Sequence, residues 1–289
     1  MKLKFTARLI PVSALLCLVI ASCNKNDGIK LPSQSSPTTT NTTSLVAGME
    51  NESDLESANV LGANQADADC PVTTYSPAKD VYPHTATTDY GTGCTDSTGT
   101  TRSGKRITTV YRTINSAHSG SVVSVTTYSD YYVNGVNIAG SYKTSVAKAA
   151  VPGPLTLKVI ISKVVTDKDL NTSTYIGSTT RKLVEGDPNG PNEDKVWQIN
   201  TTAYGTEVSG DSTMGTWTYI TDPSNLIIKR NDCAFRSQGA LKVNVKVNGV
   251  ASEQILDYGN GDCDNDATLT VDGTPEDVKL PFFFNGWHL

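Results

Sequence analysis

The stretch at residues 241–247 alternates strictly between apolar and polar side chains, and this pattern constrains the fold more than any other feature. Successive side chains of an extended strand point to opposite sides, so its apolar residues share one face. They are Leu241, Val243, Val245 and Val247. Asn248-Gly249 follows at once and favours a type I′ turn, in which both central residues have positive φ. The pattern predicts an antiparallel hairpin with one buried face.

The same signals recur over residues 69–289. Asn134-Gly135 and Asp272-Gly273 predict two more hairpin turns, and residues 122–128 alternate less regularly. No segment keeps a helical period. These features predict an all-β domain, an antiparallel meander of roughly a dozen strands. A curved sheet, an open barrel and a sandwich all fit the pattern.

The first 22 residues have the features of a secretory signal peptide. Basic residues precede an apolar run at 9–20, which is shorter than the roughly 20 residues that span a membrane. Ala21-Ser22 leads directly into Cys23, which resembles the lipobox of bacterial lipoproteins. The resemblance implies cleavage before Cys23 and attachment of palmitate and other acyl chains there. In the alternative, the signal is an ordinary secretory one and Cys23 is incidental.

Residues 23–68 are rich in Ser, Thr, Asn and Pro and poor in large apolar side chains. Such a segment buries too little surface to offset its ordering entropy, so we expect a disordered stalk. No Asp follows Cys23 directly, which favours the outer membrane over the inner one. Lys25 and Asp27 loosely resemble a surface-export signal of Bacteroidota, which predicts surface exposure.

The net charge argues against nucleic acid as a partner. The full chain carries 24 basic and 29 acidic residues, and the signal peptide removes three of the basic ones, leaving a net charge of about −8. Binding to phosphates needs clustered Lys and Arg. We therefore expect the membrane contact to come from the lipid, and a glycan or an envelope protein to be the partner.

The four cysteines of the domain lie in two similar sequence segments, which form an internal repeat. Cys70 precedes a β-rich run and Cys94 follows the bend Asp89-Tyr90-Gly91-Thr92-Gly93; Cys233 and Cys263 flank a second such unit, which contains Asp257-Tyr258-Gly259-Asn260-Gly261. An exported protein meets an oxidising compartment, which favours disulfides. Of the three possible pairings, the internal repeat favours Cys70–Cys94 with Cys233–Cys263. Four free, buried cysteines are the alternative.

The segment at 256–273 resembles the C-terminal signature of uncharacterised Bacteroidota lipoproteins, with a pattern close to DYGxGxCDNxATLTVDG. The segments at 92–94 and 131–135 resemble the same group. No activity comes with this resemblance. The aromatic C-terminal residues depart from the usual pattern: Phe282, Phe283, Phe284 and Trp287.

Two short patterns mark candidate binding or modification sites. Four acidic residues offer oxygen ligands for Ca²⁺, although the calcium-loop pattern is incomplete and a solvated acidic turn is favoured. They are Asp257, Asp262, Asp264 and Asp266. Ser97 and Ser212 each follow an Asp and precede a Thr, which resembles the O-glycan acceptor of Bacteroidota.

No catalytic set is recognisable. His84, His118 and His288 lie outside any signature, and zinc needs a His or Cys cluster. We expect no cofactor and a non-enzymatic lipoprotein of binding or structural type. The alternative is a glycan-active enzyme or an accessory carbohydrate-binding subunit, because all-β glycosidases use two facing carboxylates. Glu193, Glu207 and Glu253 are the candidates for such a pair.

Aromatic residues near the C-terminus offer a further binding surface. The Phe and Trp side chains at 282–287 fit either the core or an exposed platform, with the core favoured. Trp197 and Trp217 lie in β-rich runs, which predicts that both are core residues.

Overall fold

The computed structural model describes residues 70–96, 99–114, 118–147, 153–187, 194–209 and 212–280. Several sequence predictions fall outside these ranges: the signal peptide, Cys23, the stalk, Ser97, Glu193, His288 and the aromatic residues at 282–287. The described ranges contain no helix long and apolar enough to cross a membrane.

Fifteen strands are present in the described residues. They are β1 (Val72–Ser76), β2 (His84–Asp89), β3 (Cys94–Thr95), β4 (Thr101–Val110), β5 (Val122–Val133), β6 (Val136–Val146), β7 (Thr156–Thr166), β8 (Thr172–Glu185), β9 (Val196–Ser209), β10 (Ser212–Thr221), β11 (Ile227–Arg230), β12 (Gln238–Val247), β13 (Val250–Asn260), β14 (Asp266–Val271) and β15 (Thr274–Lys279).

All fifteen strands belong to one antiparallel sheet. The strand order is β1-β2-β4-β5-β6-β7-β8-β9-β10-β12-β13-β14-β15, so nearly every strand pairs with its neighbour in sequence. The short strands lie off this path: β3 pairs with β4, and β11 bridges β9 and β12. The sheet is not closed, because β1 and β15 stand at opposite ends of the order. The predicted all-β antiparallel meander is confirmed, and its open strand order fits the predicted curved sheet.

One face of this sheet forms the core. Alternate residues of the long central strands are buried, and the pattern is nearly perfect over β7 and β8. The predicted apolar face at 241–247 is confirmed, since Leu241 and Val243 are fully buried in β12. Trp197 and Trp217 are also buried, as expected for core residues. We call this buried side the inner face and the opposite side the outer face.

The three predicted hairpin turns are present. Asn134 and Gly135 join β5 to β6 with φ of 50° and 82°, so both residues are left-handed as a type I′ turn requires. Asn248-Gly249 and Asp272-Gly273 have nearly the same values and join β12 to β13 and β14 to β15. These turns fix the register of each hairpin and thereby the face on which its apolar residues lie.

Both predicted disulfides are formed. Cys70 is bonded to Cys94, with Cα atoms 5.8 Å apart, and Cys233 is bonded to Cys263, with Cα atoms 5.4 Å apart. Each bridge ties the start of one repeat unit to the residues just after its Asp-Tyr-Gly bend.

The internal repeat seen in the sequence is also present in the structure. The carboxylate of Asp89 accepts a hydrogen bond from the Gly91 N–H at 2.8 Å, and Asp257 accepts one from the Gly259 N–H at 2.9 Å. In both units the intervening tyrosine is buried. In both units the Asp carboxylate therefore caps the glycine N–H two residues on, while the tyrosine between them keeps its ring in the core.

Candidate functional site

An exposed group of aromatic side chains lies where β1, β2 and the loop between them meet. The ring of Tyr75 is 5.9 Å from the His84 ring, edge to face, and the ring of Tyr82 is 5.2 Å from His84 on a tilted plane. The ammonium of Lys79 lies 5.8 Å from the centre of the Tyr75 ring. We call these four residues the tyrosine cluster.

The fold holds the tyrosine cluster in place through its buried centre. His84 is 5% exposed, and its Nδ1 is 3.2 Å from the carbonyl oxygen of Val81. Tyr75 lies on β1, which pairs with β2 in regular register. The histidine ring is therefore fixed, and it contacts both tyrosine rings.

The rings themselves remain open to solvent. Tyr75 and Tyr82 are 42% and 43% exposed. Their rings therefore present a large apolar surface to solvent. Val81 in the same loop is also exposed. Two tyrosine hydroxyls and the Lys79 ammonium supply polar groups around this apolar surface, a combination that suits a ligand with both C–H and hydroxyl faces.

A second aromatic group lies on the inner face and is enclosed. The ammonium of Lys163 lies 5.4 Å from the centre of the Tyr128 ring and 5.8 Å from that of Tyr142. Lys163 is 3% exposed, and its register partner on β8 is Tyr175. Cation–π contacts between buried groups strengthen the core. This group links β5, β6 and β7 around a buried ammonium, and only the half-buried Tyr128 ring reaches solvent.

Tyr175 extends this inner group towards β10. Its ring lies 5.6 Å from the Trp217 ring and 5.9 Å from the Tyr219 ring, and its hydroxyl is hydrogen-bonded to the hydroxyl of Tyr219. All three side chains are fully buried. The centre of the inner face is thus filled by aromatic rings.

Three carboxylates of the acidic C-terminal loop bond to nearby groups of the chain. Asp264 accepts a hydrogen bond from the backbone N–H of Asp266 at 3.0 Å, and Asp266 is paired with Lys279. Asp257 caps its own bend, as described above, and the N–H of Asp262 bonds to the side chain of Asn260. Across the parts of the chain that the structure describes, no group of three His, Cys, Asp or Glu side chains is placed to hold a metal ion.

Of the three candidate carboxylates, Glu207 and Glu253 lie in the described residues and are not brought together. Glu207 is buried on the inner face of β9. Glu253 is exposed on β13, and its register partner Asn244 is an outward-facing residue of β12. The two carboxylates therefore point to opposite faces of the sheet and cannot flank one glycosidic bond.

The other sequence candidates lie apart from the tyrosine cluster. Ser212 begins β10, where its backbone pairs with Ser209. The Nδ1 atom of His118 lies 2.7 Å from the carbonyl oxygen of Thr113. His84 alone belongs to the cluster. Sequence reasoning missed the cluster because its two tyrosines stand in separate segments, one of them in a loop without periodicity.

Comparison with known protein families, curated proteins and solved structures finds no match for this chain.

Proposed function

We propose that the chain is a lipid-anchored cell-envelope protein of binding type, without a catalytic site, that presents the tyrosine cluster to a glycan. The N-terminal sequence supports the anchor. The disulfides at 70–94 and 233–263 use all four cysteines of the domain, so Cys23 belongs to neither bridge. A cysteine directly after Ala21-Ser22 then has the role that the lipobox resemblance implies.

The cell envelope is the proposed location. The outer membrane is favoured because no Asp follows Cys23, and the Lys25 and Asp27 pattern favours its outer surface. Two disulfides fit an oxidising compartment. The proposal also includes membership of the Bacteroidota lipoprotein group that the segment at 256–273 resembles.

The tyrosine cluster is the single observation that carries the binding role. A pyranose ring presents C–H groups on its faces and hydroxyl groups around its rim. Exposed tyrosine rings pack against the C–H groups, while phenol hydroxyls and the Lys79 ammonium bond to the rim. The rings need little reordering on binding, because buried His84 already holds them.

An accessory carbohydrate-binding subunit is the second candidate, and the same cluster supports it. A glycan-active enzyme has less support, since Glu207 and Glu253 face opposite sides of the sheet.

Binding to a glycan array, followed by titration of the best ligand, tests the proposal. We expect Tyr75→Ala with Tyr82→Ala to weaken binding by about tenfold or more, which is about 1.4 kcal/mol. Tyr132→Ala is the matched control, because Tyr132 is 39% exposed and lies on β5, outside the cluster. Equal loss in the control, or unchanged binding in the double variant, would contradict the role of the cluster.

A further inference from the structure

The outer face of the central strands carries a continuous group of exposed apolar side chains. Tyr204 on β9 is the register partner of Ile176 on β8, and both point outward. They are 55% and 41% exposed. The complete group, which we call the outer-face patch, has five members: Ile160, Val164, Ile176, Tyr204 and Ile220.

Strand register makes this patch contiguous. Ile176 pairs with Ser162, which lies between Ile160 and Val164 on the same face of β7. On the other side, Tyr204 pairs with Thr218, two residues from Ile220 on β10. Diagonal neighbours of this kind lie within reach of large side chains. The patch therefore runs obliquely over four strands, β7 to β10.

The residues that lie between the members of the patch are uncharged, and charged residues lie at its margin. The residues paired with patch members on β7 to β10 are Ser162, Ser178, Thr174, Thr202 and Thr218. Lysines lie at the margin of the patch. On its own strands, Lys158 of β7 is two residues from Ile160 on the same face, and Lys182 lies near the end of β8. On the flanking strands, Lys143 of β6 pairs with Ile160 and Lys242 of β12 pairs with Ile220. An apolar centre with a polar surround and a charged rim is the anatomy of a protein interface.

We propose that the outer-face patch binds a second copy of this chain, with the two sheets packed face to face. The uncharged centre can meet its own copy without like-charge repulsion, and it presents no charge that would select an acidic or basic partner. Face-to-face packing of sheets about 10 Å apart is a common arrangement that needs an apolar surface on each side.

The area of the outer face around the patch is large enough for a dimer interface. Four strands spaced about 4.8 Å apart, with about ten residues each, cover about 650 Å² per copy, or about 1,300 Å² for the pair. Stable interfaces begin at about 1,200 Å². The inference does not depend on the lipid anchor or on the tyrosine cluster, which belongs to β1, β2 and their connecting loop.

The test measures the molar mass of the full chain in solution. Cys23→Ser removes the lipid, and light scattering after size exclusion covers about 1 to 100 µM. We expect a dimer that dissociates on dilution. Ile176→Lys with Tyr204→Lys should raise the dissociation constant at least about tenfold, because lysines then face each other across the interface. Tyr132→Lys with Val250→Lys adds the same charge at exposed positions outside the patch and should leave the dimer intact.

Two results would overturn the proposal. These are a wild-type chain that stays monomeric at the highest concentration and a patch variant that dimerises like the wild type. If the monomeric wild-type chain also sediments with vesicles of anionic phospholipid, a membrane surface replaces the second copy as the occupant of the patch. Circular dichroism checks that each variant is folded. If the lysine variant is unfolded, Ile176→Thr with Tyr204→Thr replaces it, because threonine favours strands and removes the apolar contact.

Discussion

Gly205 lies opposite Trp217 on neighbouring strands, and the indole occupies the space that a side chain at position 205 would take. A β-carbon on Gly205 would lie 2.5 Å from Cε2 of the indole and would also meet the carbonyl oxygen of Thr174. Tyr175 packs against the same indole from β8. A glycine in the middle of a long strand therefore makes room for the indole ring of Trp217.

Gly205→Ala should destabilise the protein by about 1–3 kcal/mol, because a well-packed core accommodates an extra carbon only by strain. Urea unfolding should show a lower midpoint with an unchanged slope. Gly93→Ala is the control, since a β-carbon there has its nearest contact at 3.8 Å and is tolerated. A Gly205→Ala midpoint equal to the wild type would contradict the packing described.

The disulfides should contribute strongly to stability. Replacing Cys233 and Cys263 together by serine should lower the free energy of unfolding by about 2–4 kcal/mol, because the bridge restricts the unfolded chain. The Cys70 and Cys94 pair closes a similar loop, with a separation of 24 residues against 30, and should have a similar effect. Denaturant unfolding of the two double variants measures both.

Peptide mapping without reduction checks the pairing itself. It should recover one peptide pair that joins Cys70 to Cys94 and another that joins Cys233 to Cys263. A peptide that joins Cys70 to Cys263 would refute both the pairing and the repeat on which its prediction rested.

The local features of this fold were predictable from sequence because each depends on neighbouring residues. The alternation at 241–247 specified which side of β12 is buried, and the Asn-Gly and Asp-Gly dipeptides specified three hairpins. The repeated Asp-Tyr-Gly bend indicated the disulfide pairs, because the same device recurs with a cysteine just beyond it.

The features that sequence did not reveal depend on contacts between distant strands. Lys163 reads as a polar residue in an alternating strand, yet its ammonium lies between tyrosine rings on β5 and β6. The tyrosine cluster needs β1 and β2 to be paired before Tyr75 meets His84. The opposite orientations of Glu207 and Glu253 likewise follow only from strand register.

Asp222 should make the stability depend on acid pH. Its carboxylate accepts hydrogen bonds from the hydroxyl of Ser224 and from Lys242, which lower its pKa to about 2. An unfolded aspartate has a pKa of about 3.9, so these interactions stabilise the fold above about pH 4 and are lost as the pH falls towards 2.

Asp222→Asn should therefore reduce the urea midpoint more at pH 5 than at pH 2, because the wild type loses the same interactions in acid. Unfolding curves of both proteins across this range measure the difference. A difference between the two midpoints that stays constant with pH would show that the charge on Asp222 does not stabilise the turn after β10, in which the Asn225 N–H bonds to the Asp222 carbonyl oxygen.

Metabolic labelling with a palmitate analogue tests the central claim, lipid attachment at Cys23, most directly. We predict that the chain expressed in a bacterial host that processes lipoproteins incorporates the label, and that Cys23→Ser abolishes it while both disulfides still form. A wild-type chain without label, or a Cys23→Ser chain that keeps it, would contradict the account.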